Sequence, residues 1–163
     1  MKHLTIRSCV LLIGCIFLPI MVGVIGSLVT LSSVSTWYAS LIKPVFAPPN
    51  WLFGPVWTLL YILMGISLWL IIRNGIEDQT VRKGFIIFIA QLLVNLFWSL
   101  AFFGMQSPVM GFITIIILVI LIVFTIRTFK TISLPAAYLL IPYLCWTCIA
   151  TVLNLSILLL NHP

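Results

Sequence analysis

Amides and aromatic rings at helical spacing are the residues of this sequence best suited to hold a ligand. Gln91, Asn95 and Trp98 follow one another at intervals of four and three, which places them near one face of a helix. Trp57 and Tyr61 form a similar pair, one turn apart, in an earlier apolar stretch. Aromatic faces with a few isolated amides are typical of a mostly apolar pocket in which the polar groups orient the ligand.

A second face of the same kind lies near the carboxyl end, where Trp146, Ala150, Leu153 and Asn154 share one side of a helix. Two interpretations stay open for every polar residue in these faces. Amides and hydroxyls join neighbouring helices in a membrane, or they line a binding pocket. The first apolar segment adds small residues that permit close helix approach, at a dimer seam or at a pocket wall: Gly23, Gly26 and Ser27.

Groups for conventional acid–base or metal chemistry are scarce. Glu77 and Asp78 are adjacent in a polar hinge, and His3 and His162 lie at the termini. Cys145-Trp-Thr-Cys148 matches a C-x-x-C pattern, but it lies in an apolar helix without a second pair. Such cysteines are more often small buried side chains than metal ligands or redox dithiols. We therefore predict no catalytic residue and no metal ligand.

The composition places these residues in a membrane. Hydrophobic residues make up 63% of the 163-residue chain, charged residues 6%, and the mean hydropathy is +1.33. A soluble domain carries about 25% charged residues. The net charge of +6 comes from eight scattered basic residues, without the basic cluster that nucleic-acid binding requires. Nucleic acid is therefore not an expected partner, whereas the lipid bilayer is.

The spacing of the charged residues predicts an all-α bundle of five transmembrane helices in a single domain, 1–163. One span takes roughly 20 apolar residues. A short turn before Pro108 divides the longest uncharged run, and Pro108 and Pro135 suit first helical turns. The predicted spans are approximately 8–31, 54–72, 84–103, 108–127 and 136–160.

The basic residues also predict an orientation. With five spans, seven basic residues share one side of the membrane, and only Lys43 lies on the other. The positive-inside rule then places the amino terminus in the cytoplasm and the carboxy terminus outside. The first apolar run is longer than a signal-peptide core, which favours a retained helix. A short chain with this bias fits a bacterial inner membrane.

The longest predicted connection, 32–53, is too aromatic for a solvated linker and too rich in proline for a helix. Prolines 44, 48 and 49 restrict its backbone and lower the entropy lost on ordering. Two interpretations remain: an aromatic anchor at the membrane interface, or an ordered lid over one mouth of the bundle.

Four groups of residues resemble the translocator protein family, also called the tryptophan-rich sensory protein or TspO/MBR family. Two of them lie in the third and fifth predicted helices, and the matches together run through nearly the whole chain. The residues that carry the resemblance are Trp37-Tyr-Ala-Ser-Leu with Lys43-Pro44, Pro48-Pro49-x-Trp51 with Pro55-Val-Trp57-Thr-x-Leu-Tyr61, Gln91-Leu-x-x-Asn95-x-x-Trp98-Ser-x-x-Phe102-Phe103, and Pro142-Tyr-Leu-x-Trp146-x-x-x-Ala150-Thr-x-Leu-Asn154.

The resemblance implies a five-helix membrane protein, often a homodimer, that binds porphyrins and, in eukaryotic members, cholesterol and drug-like molecules. It also implies a pocket beneath the first loop, with protoporphyrin IX or haem as the ligand and no required cofactor. The family's cholesterol motif continues with a tyrosine and an arginine, but Leu155 follows Asn154 here and no arginine comes after it. This departure weakens the case for cholesterol. The implied pocket residues are Ser27, Trp51, Phe53, Gly54, Val56, Tyr61, Asn95, Trp98, Trp146, Ala150 and Leu153.

The leading hypothesis from the sequence is a membrane receptor, sensor or carrier for a flat hydrophobic ligand such as a tetrapyrrole. Trp51, Trp98 and Trp146 would stack on the ligand, Asn95 would orient it, and the loop would gate access. The alternatives are light- or oxygen-dependent porphyrin breakdown and facilitated transport of hydrophobic ligands. No carboxylate, lysine or arginine lies inside the predicted spans, since Arg127 is the end residue of the fourth, and this argues against transport coupled to an ion.

Overall fold

The computed structural model describes residues 6–161. Lys2, His3 and His162, which entered the predictions above, lie outside the described residues. Within 6–161 the regular structure is entirely helical, and five helical segments are long and apolar enough to cross a membrane. The predicted all-α bundle of five transmembrane helices is therefore confirmed.

Seven α-helices follow one another along residues 6–161. The third span continues past α4 into a π-helical turn, Leu100–Gly104, and the last span is formed by α6 and α7 together. The helices are α1 (Ile6–Val34), α2 (Trp37–Ser40), α3 (Asn50–Ile72), α4 (Gln79–Ser99), α5 (Pro108–Ile132), α6 (Leu134–Leu139) and α7 (Ile141–Leu160).

Side-chain caps, rather than the limits of the apolar runs, set several helix starts. The Asp78 carboxylate accepts from the backbone N–H groups of Thr80 and Val81 at 2.7 and 3.2 Å, so α4 begins five residues before the predicted span. Ser107 caps α5 through the Met110 N–H at 3.3 Å, with Pro108 in the first turn as expected. Such caps satisfy N–H groups that have no partner inside the helix.

The five spans form a ring in which α1 lies between α3 and α4, and α7 lies beside α5. Close approach of α1 and α3 depends on Gly65, because a Cβ there would collide with the backbone of Ile16. Farther along, Gly23 leaves room for the ring of Tyr61. The two helices are thus held together at this crossing.

The end of the bundle next to the basic loops is solidly packed. Phe88 and Phe129 stack with ring centroids 5.9 Å apart and planes inclined by 11°. Met64, Ile71 and Leu118 are completely buried around them. The two cavities described below lie toward the opposite end, near the first loop.

The first loop is shorter and more helical than the sequence predicts. Helix α1 runs to Val34 and α3 already begins at Asn50, so both ends of 32–53 are helical. Residues 37–40 form the short helix α2, although the sequence analysis predicts no helix in this segment. A helix is possible there because the first proline of the segment is Pro44. The irregular part is limited to 41–49, where the prolines exclude a helix.

Candidate ligand-binding cavities

The larger of two cavities is a cleft of about 290 Å³ between α1, α3 and the end of α4. It opens where α1 and α3 separate beyond their close contact at Gly65. Exposed residues at its rim include Val24, Leu31 and Thr58. Since these belong to helices that are long and apolar enough to cross a membrane, we expect the mouth of the cleft to face the bilayer.

The deepest wall of the cleft is a continuous aromatic surface. The rings of Trp57 and Tyr61 stack at 5.5 Å, and Trp57 lies 6.1 Å from Trp98 with an interplanar angle of 32°. Behind this wall, Trp98 stacks at 6.1 Å on Phe102, which lines the smaller cavity and not the cleft. Aromatic pairs at these distances stabilise one another, so the wall is a preformed apolar face.

A chain of hydrogen bonds lies at the base of that wall. Tyr61 Oη donates to Asn95 Oδ1 at 3.0 Å, and Asn95 Nδ2 donates to Tyr143 Oη at 3.1 Å. Tyr143 Oη donates to Gln91 Oε1 at 3.0 Å. These hydrogen bonds join α3, α4 and α7. Asn95 therefore fits both interpretations of the polar residues, since it links helices and also borders the cleft.

The α1 wall carries hydroxyl groups that are already bonded. Ser27 Oγ donates to the carbonyl of Val24 at 2.7 Å. Thr30 Oγ1 and Ser99 Oγ are 2.8 Å apart, and Ser99 also donates to the Gly26 carbonyl at 3.3 Å. Because these groups bond to the protein, this wall offers mainly apolar contact to a ligand.

The smaller cavity, about 20 Å³, lies beneath the first loop between α2, α3, α4 and α7. Phe53, Trp98 and Phe103 line both cavities and so form the partition between them. The residues that line the smaller cavity are Tyr38, Phe53, Trp98, Phe102, Phe103, Ala150, Leu153, Asn154 and Ile157.

Eight of the eleven predicted site residues border one of these two cavities. Ala150 and Leu153 line the smaller one. Those that line the larger one are Ser27, Phe53, Gly54, Tyr61, Asn95 and Trp98.

Three of the predicted site residues, Trp51, Val56 and Trp146, line neither of these two cavities, and their part in ligand binding stays a prediction. Trp51 is 72% exposed. Since α3 begins at Asn50, Phe53 and Trp57 share the inward face, and Trp51, two residues before Phe53, falls on the opposite face. Trp146 packs behind the partition with its ring 5.9 Å from Phe53, and Val56 packs on the core.

Several residues of the cleft were not among the predicted site residues. Trp57 was recognised as half of an aromatic pair, yet it was not assigned to the pocket. On α1, Gly23, Thr30 and Val34 border the cleft together with Ser27. Their spacing of four, three and four along a single helix face was the available signal.

The lining of both cavities is free of acidic and basic side chains. Over residues 6–161, no three His, Cys, Asp or Glu side chains come together as a group able to hold a metal. Cys145 and Cys148 are free and exposed on α7. Binding in these cavities thus depends on shape, stacking and neutral hydrogen bonds.

The fold and the cleft define a class of protein: an integral membrane bundle of five helices with an aromatic cavity inside it. Residues 15–160 match the TspO/MBR family, and the chain belongs to this family. The resemblance found in the motifs is therefore confirmed. The chain is a membrane protein of a sensor and receptor family related to translocator protein.

The relatives come from bacteria, archaea and animals. The chain is 47% identical over 147 residues to the tryptophan-rich protein TspO of Chlorobaculum tepidum. This alignment covers 90% of the chain and 93% of the relative. It is 32% identical over 136 residues to protein CrtK of Rhodobacter capsulatus, covering 83% and 85%. With the translocator protein of Bos taurus it shares 32% identity over 145 residues, covering 87% and 85%.

Proposed function

We propose that this protein is a membrane receptor, sensor or carrier that binds a flat hydrophobic ligand of the tetrapyrrole class, such as protoporphyrin IX, in the larger cleft. The observation that carries the proposal is the aromatic wall formed by Tyr61, Trp57 and Trp98, which lies exposed to open space within the bundle. A macrocycle stacks on such a wall without any metal ligand. The same contacts accept haem or the metal-free ring.

The position of the mouth supports a route of entry from the membrane. Val24 and Leu31 at the rim are 50% and 70% exposed on the outer surface of α1. A ligand dissolved in the hydrocarbon region meets this opening directly and keeps an apolar environment throughout entry. The Tyr61–Asn95 pair at the base then supplies a polar group that fixes the orientation of the ring.

Blocking the cleft from the α1 side tests the proposal. Ser27→Phe fills the cleft, whereas Leu28→Phe adds the same ring at the adjacent position, which is 70% exposed to lipid. Protoporphyrin IX is titrated against the tryptophan fluorescence of each variant in detergent. We expect Ser27→Phe to weaken binding at least about tenfold, a loss of about 1.4 kcal/mol, and Leu28→Phe to bind as the parent does. Equal affinity in all three proteins would overturn the proposal.

A second candidate function is light- or oxygen-dependent porphyrin breakdown, which the ring contacts of Trp57 with Tyr61 and Trp98 favour. The test is to illuminate the porphyrin–protein complex and to measure the loss of porphyrin and the appearance of new absorbing products. Recovery of intact porphyrin that bleaches no faster than free porphyrin would exclude this function.

Flux of the ligand into protein-containing liposomes distinguishes a carrier, which also moves the ligand across the bilayer, from a sensor, which only binds it.

We further propose a bacterial inner-membrane location with the amino terminus in the cytoplasm. The described basic side chains support it, since Lys43 alone lies at the end of the bundle that carries the first loop. The other described basic residues lie at the opposite end: Arg7, Arg73, Arg82, Lys83, Arg127 and Lys130. The homodimer implied by the resemblance stays a prediction.

A further inference from the structure

A group of exposed basic side chains lies where the start of α4 meets the end of α5. The two helices touch at this level, because a Cβ added at Gly84 would lie 3.4 Å from the methyl carbon of Thr128. The basic residues lie in the first two turns of α4 and the last two turns of α5, beside this contact. We call them the α4–α5 basic patch, and its members are Arg82, Lys83, Arg127 and Lys130.

The sequence supplies little negative charge to neutralise this patch. It contains two acidic residues, Glu77 and Asp78, and both precede α4. The Asp78 carboxylate accepts from the backbone N–H groups of Thr80 and Val81 as the cap of α4. Six described basic side chains lie at this end of the bundle against these two acidic ones. Such a surplus of positive charge at a membrane surface attracts anions.

Each of the two helices continues the patch with an exposed apolar stripe. The stripe on α4 shares a helix face with Arg82, and the stripe on α5 shares one with Arg127, since the residues recur at intervals of three, four and seven. Charge therefore ends two neighbouring apolar surfaces, which is the pattern of a phospholipid with a charged headgroup and two acyl chains. The residues of the stripes are Ile86, Leu93 and Phe97 on α4 and Ile117, Ile120 and Phe124 on α5.

The core behind the patch is rigidly packed. The rings of Phe88 and Phe129 stack directly below it, and both side chains are completely buried. Gly84 is buried against the Phe129 ring, at 3.3 Å from the position of an added Cβ. The backbone that carries the basic side chains is thus already ordered, so less entropy is lost when a ligand binds.

We propose that the α4–α5 basic patch binds the headgroup of an anionic phospholipid whose acyl chains lie along the two apolar stripes. Lysine and arginine side chains donate charge-assisted hydrogen bonds to phosphate oxygens. Basic pockets between transmembrane helices bind anionic headgroups in this way. A zwitterionic lipid carries its own positive charge, so the patch selects against it. The site lies at the opposite end of the bundle from the larger cleft and does not depend on the ligand proposed there.

Lipid selectivity is the first test. The protein in detergent is titrated with dioleoyl phosphatidylglycerol or with dioleoyl phosphatidylcholine, and native mass spectrometry counts the lipids that stay bound. We expect the affinity for the anionic lipid to be at least about tenfold higher, because several basic side chains contribute at once. Equal affinities for the two lipids would overturn the proposal.

A pair of double variants tests where the lipid binds. Lys83→Gln/Arg127→Gln removes two charges from the patch, whereas Arg7→Gln/Arg73→Gln removes two charges at the same end from α1 and α3. We expect the first pair to weaken phosphatidylglycerol binding at least about tenfold and the second less than about threefold, since screening limits the reach of distant charges. Equal losses would show diffuse attraction to the whole surface and refute the site.

A further comparison separates a lipid site from a site for free phosphate. Dihexanoyl phosphatidylglycerol has the same headgroup, but its chains are too short to extend along the stripes to Leu93. We expect it to bind more weakly than the dioleoyl lipid, and excess inorganic phosphate, at matched ionic strength, to leave dioleoyl lipid binding unchanged. Equal binding of both lipids, or displacement by phosphate, would contradict the proposal. These measurements use the unsubstituted protein, so they decide the matter even if a variant does not fold.

Discussion

Phe53, Trp98 and Phe103 are the side chains that divide the space inside this bundle. Each lines the open cleft on one side and the small cavity under the loop on the other. Trp98 contacts Trp57 in the aromatic wall of the cleft and Phe102 on the side of the smaller cavity. A tryptophan can therefore contact a ligand in the cleft only if its ring is directed toward the cleft.

The two tryptophans of the predicted pocket should therefore differ in their effect on ligand binding. Trp98→Ala removes part of the aromatic wall, and a loss of about 1–3 kcal/mol of binding free energy is expected from the lost stacking and contact area. Trp51→Ala, on the exposed face, is expected to leave affinity within about twofold of the parent, well under the 1.4 kcal/mol of a tenfold change. Porphyrin titration of both variants measures the difference, and equal losses would contradict the assignment of the wall.

Asp78 carries a pH-dependent contribution to stability. Hydrogen bonds from the backbone N–H groups of Val81 and Thr80 lower the pKa of its carboxyl below the ordinary 3.8. The stabilisation is thus complete above that value and is lost as the pH falls through the lower, folded-state pKa. Asp78→Ala should reduce the melting temperature at neutral pH but not at pH values below the folded pKa. Glu77→Ala, next to the cap, is the control, and a pH-independent effect of Asp78→Ala would disprove this role.

At the scale of elements, the cleft lies between the parts of α1 and α3 nearer the first loop, beyond their closest approach at Gly65. The contact at Gly65 requires the absence of a side chain, and the Tyr61 ring fits over Gly23 nearer the mouth. The first loop closes the same end of the bundle from above. Lys43 Nζ donates to the carbonyls of Tyr38, Ala39 and Leu41 at 2.7–3.3 Å and lies 4.8 Å from the Tyr38 ring centre.

Substitution at the helix crossing should lower stability out of proportion to its size. Gly65→Ala places a methyl group against the backbone of α1 near Ile16, which cannot move as a side-chain end could, and a cost of about 1–3 kcal/mol is expected. Gly14→Ala lies on α1 near the same crossing with nothing within 4 Å of the added Cβ. It should be neutral or stabilising, since Ala favours helix over Gly. Thermal unfolding of both variants checks this, and equal stability would be incompatible with the crossing described.

Asn161, at the end of α7, should hold the first loop against local unfolding. Asn161 Oδ1 accepts from the Ile42 N–H, and its Nδ2 donates to the Ile42 carbonyl, both at 2.9 Å. Asn161→Ala removes both bonds, so hydrogen exchange of the 41–49 amides should accelerate by about tenfold. Ser156→Ala, whose hydroxyl bonds only within α7, is the matched control. Unchanged exchange in Asn161→Ala would show that other contacts hold the loop.

The whole molecule is asymmetric along its axis. One end is filled by stacked and buried side chains and carries most of the charge, and the other end contains both cavities and the loop. A packed end provides stability, so the open end can keep space for a ligand. The proposed orientation places this open end on the outer side of the membrane.

Thiol labelling checks that orientation. In a background without the four native cysteines, Val45→Cys in the first loop and Asn74→Cys in the α3–α4 connection each introduce one exposed thiol. A membrane-impermeant maleimide added to intact spheroplasts should label Val45→Cys at once and Asn74→Cys only after lysis. The reverse pattern would invert the proposed topology.

The sequence by itself determined the class and the number of spans, for reasons that are local, and it placed eight of the predicted site residues beside one of the two cavities. A bilayer admits only long apolar helices, charged residues mark their ends, and a helix repeats every 3.6 residues. Asn95 and Trp98 could therefore be assigned to one inward face from spacing alone. The resemblance to the family motifs added Phe53, Gly54 and Ser27, which line the larger cleft.

Only the tertiary structure decided which aromatic residues border the two cavities and which of them separate one cavity from the other. The start of α3 at Asn50 turned Trp51 outward, and a start a few residues later would have left it in the loop. Contact between α1 and α3 at Gly65 set where the cleft opens, and the partition around Trp98 separated the chamber of Tyr38 and Asn154 from it. These outcomes depend on helix starts and on contacts between residues distant in sequence, which hydropathy and spacing within one segment do not specify.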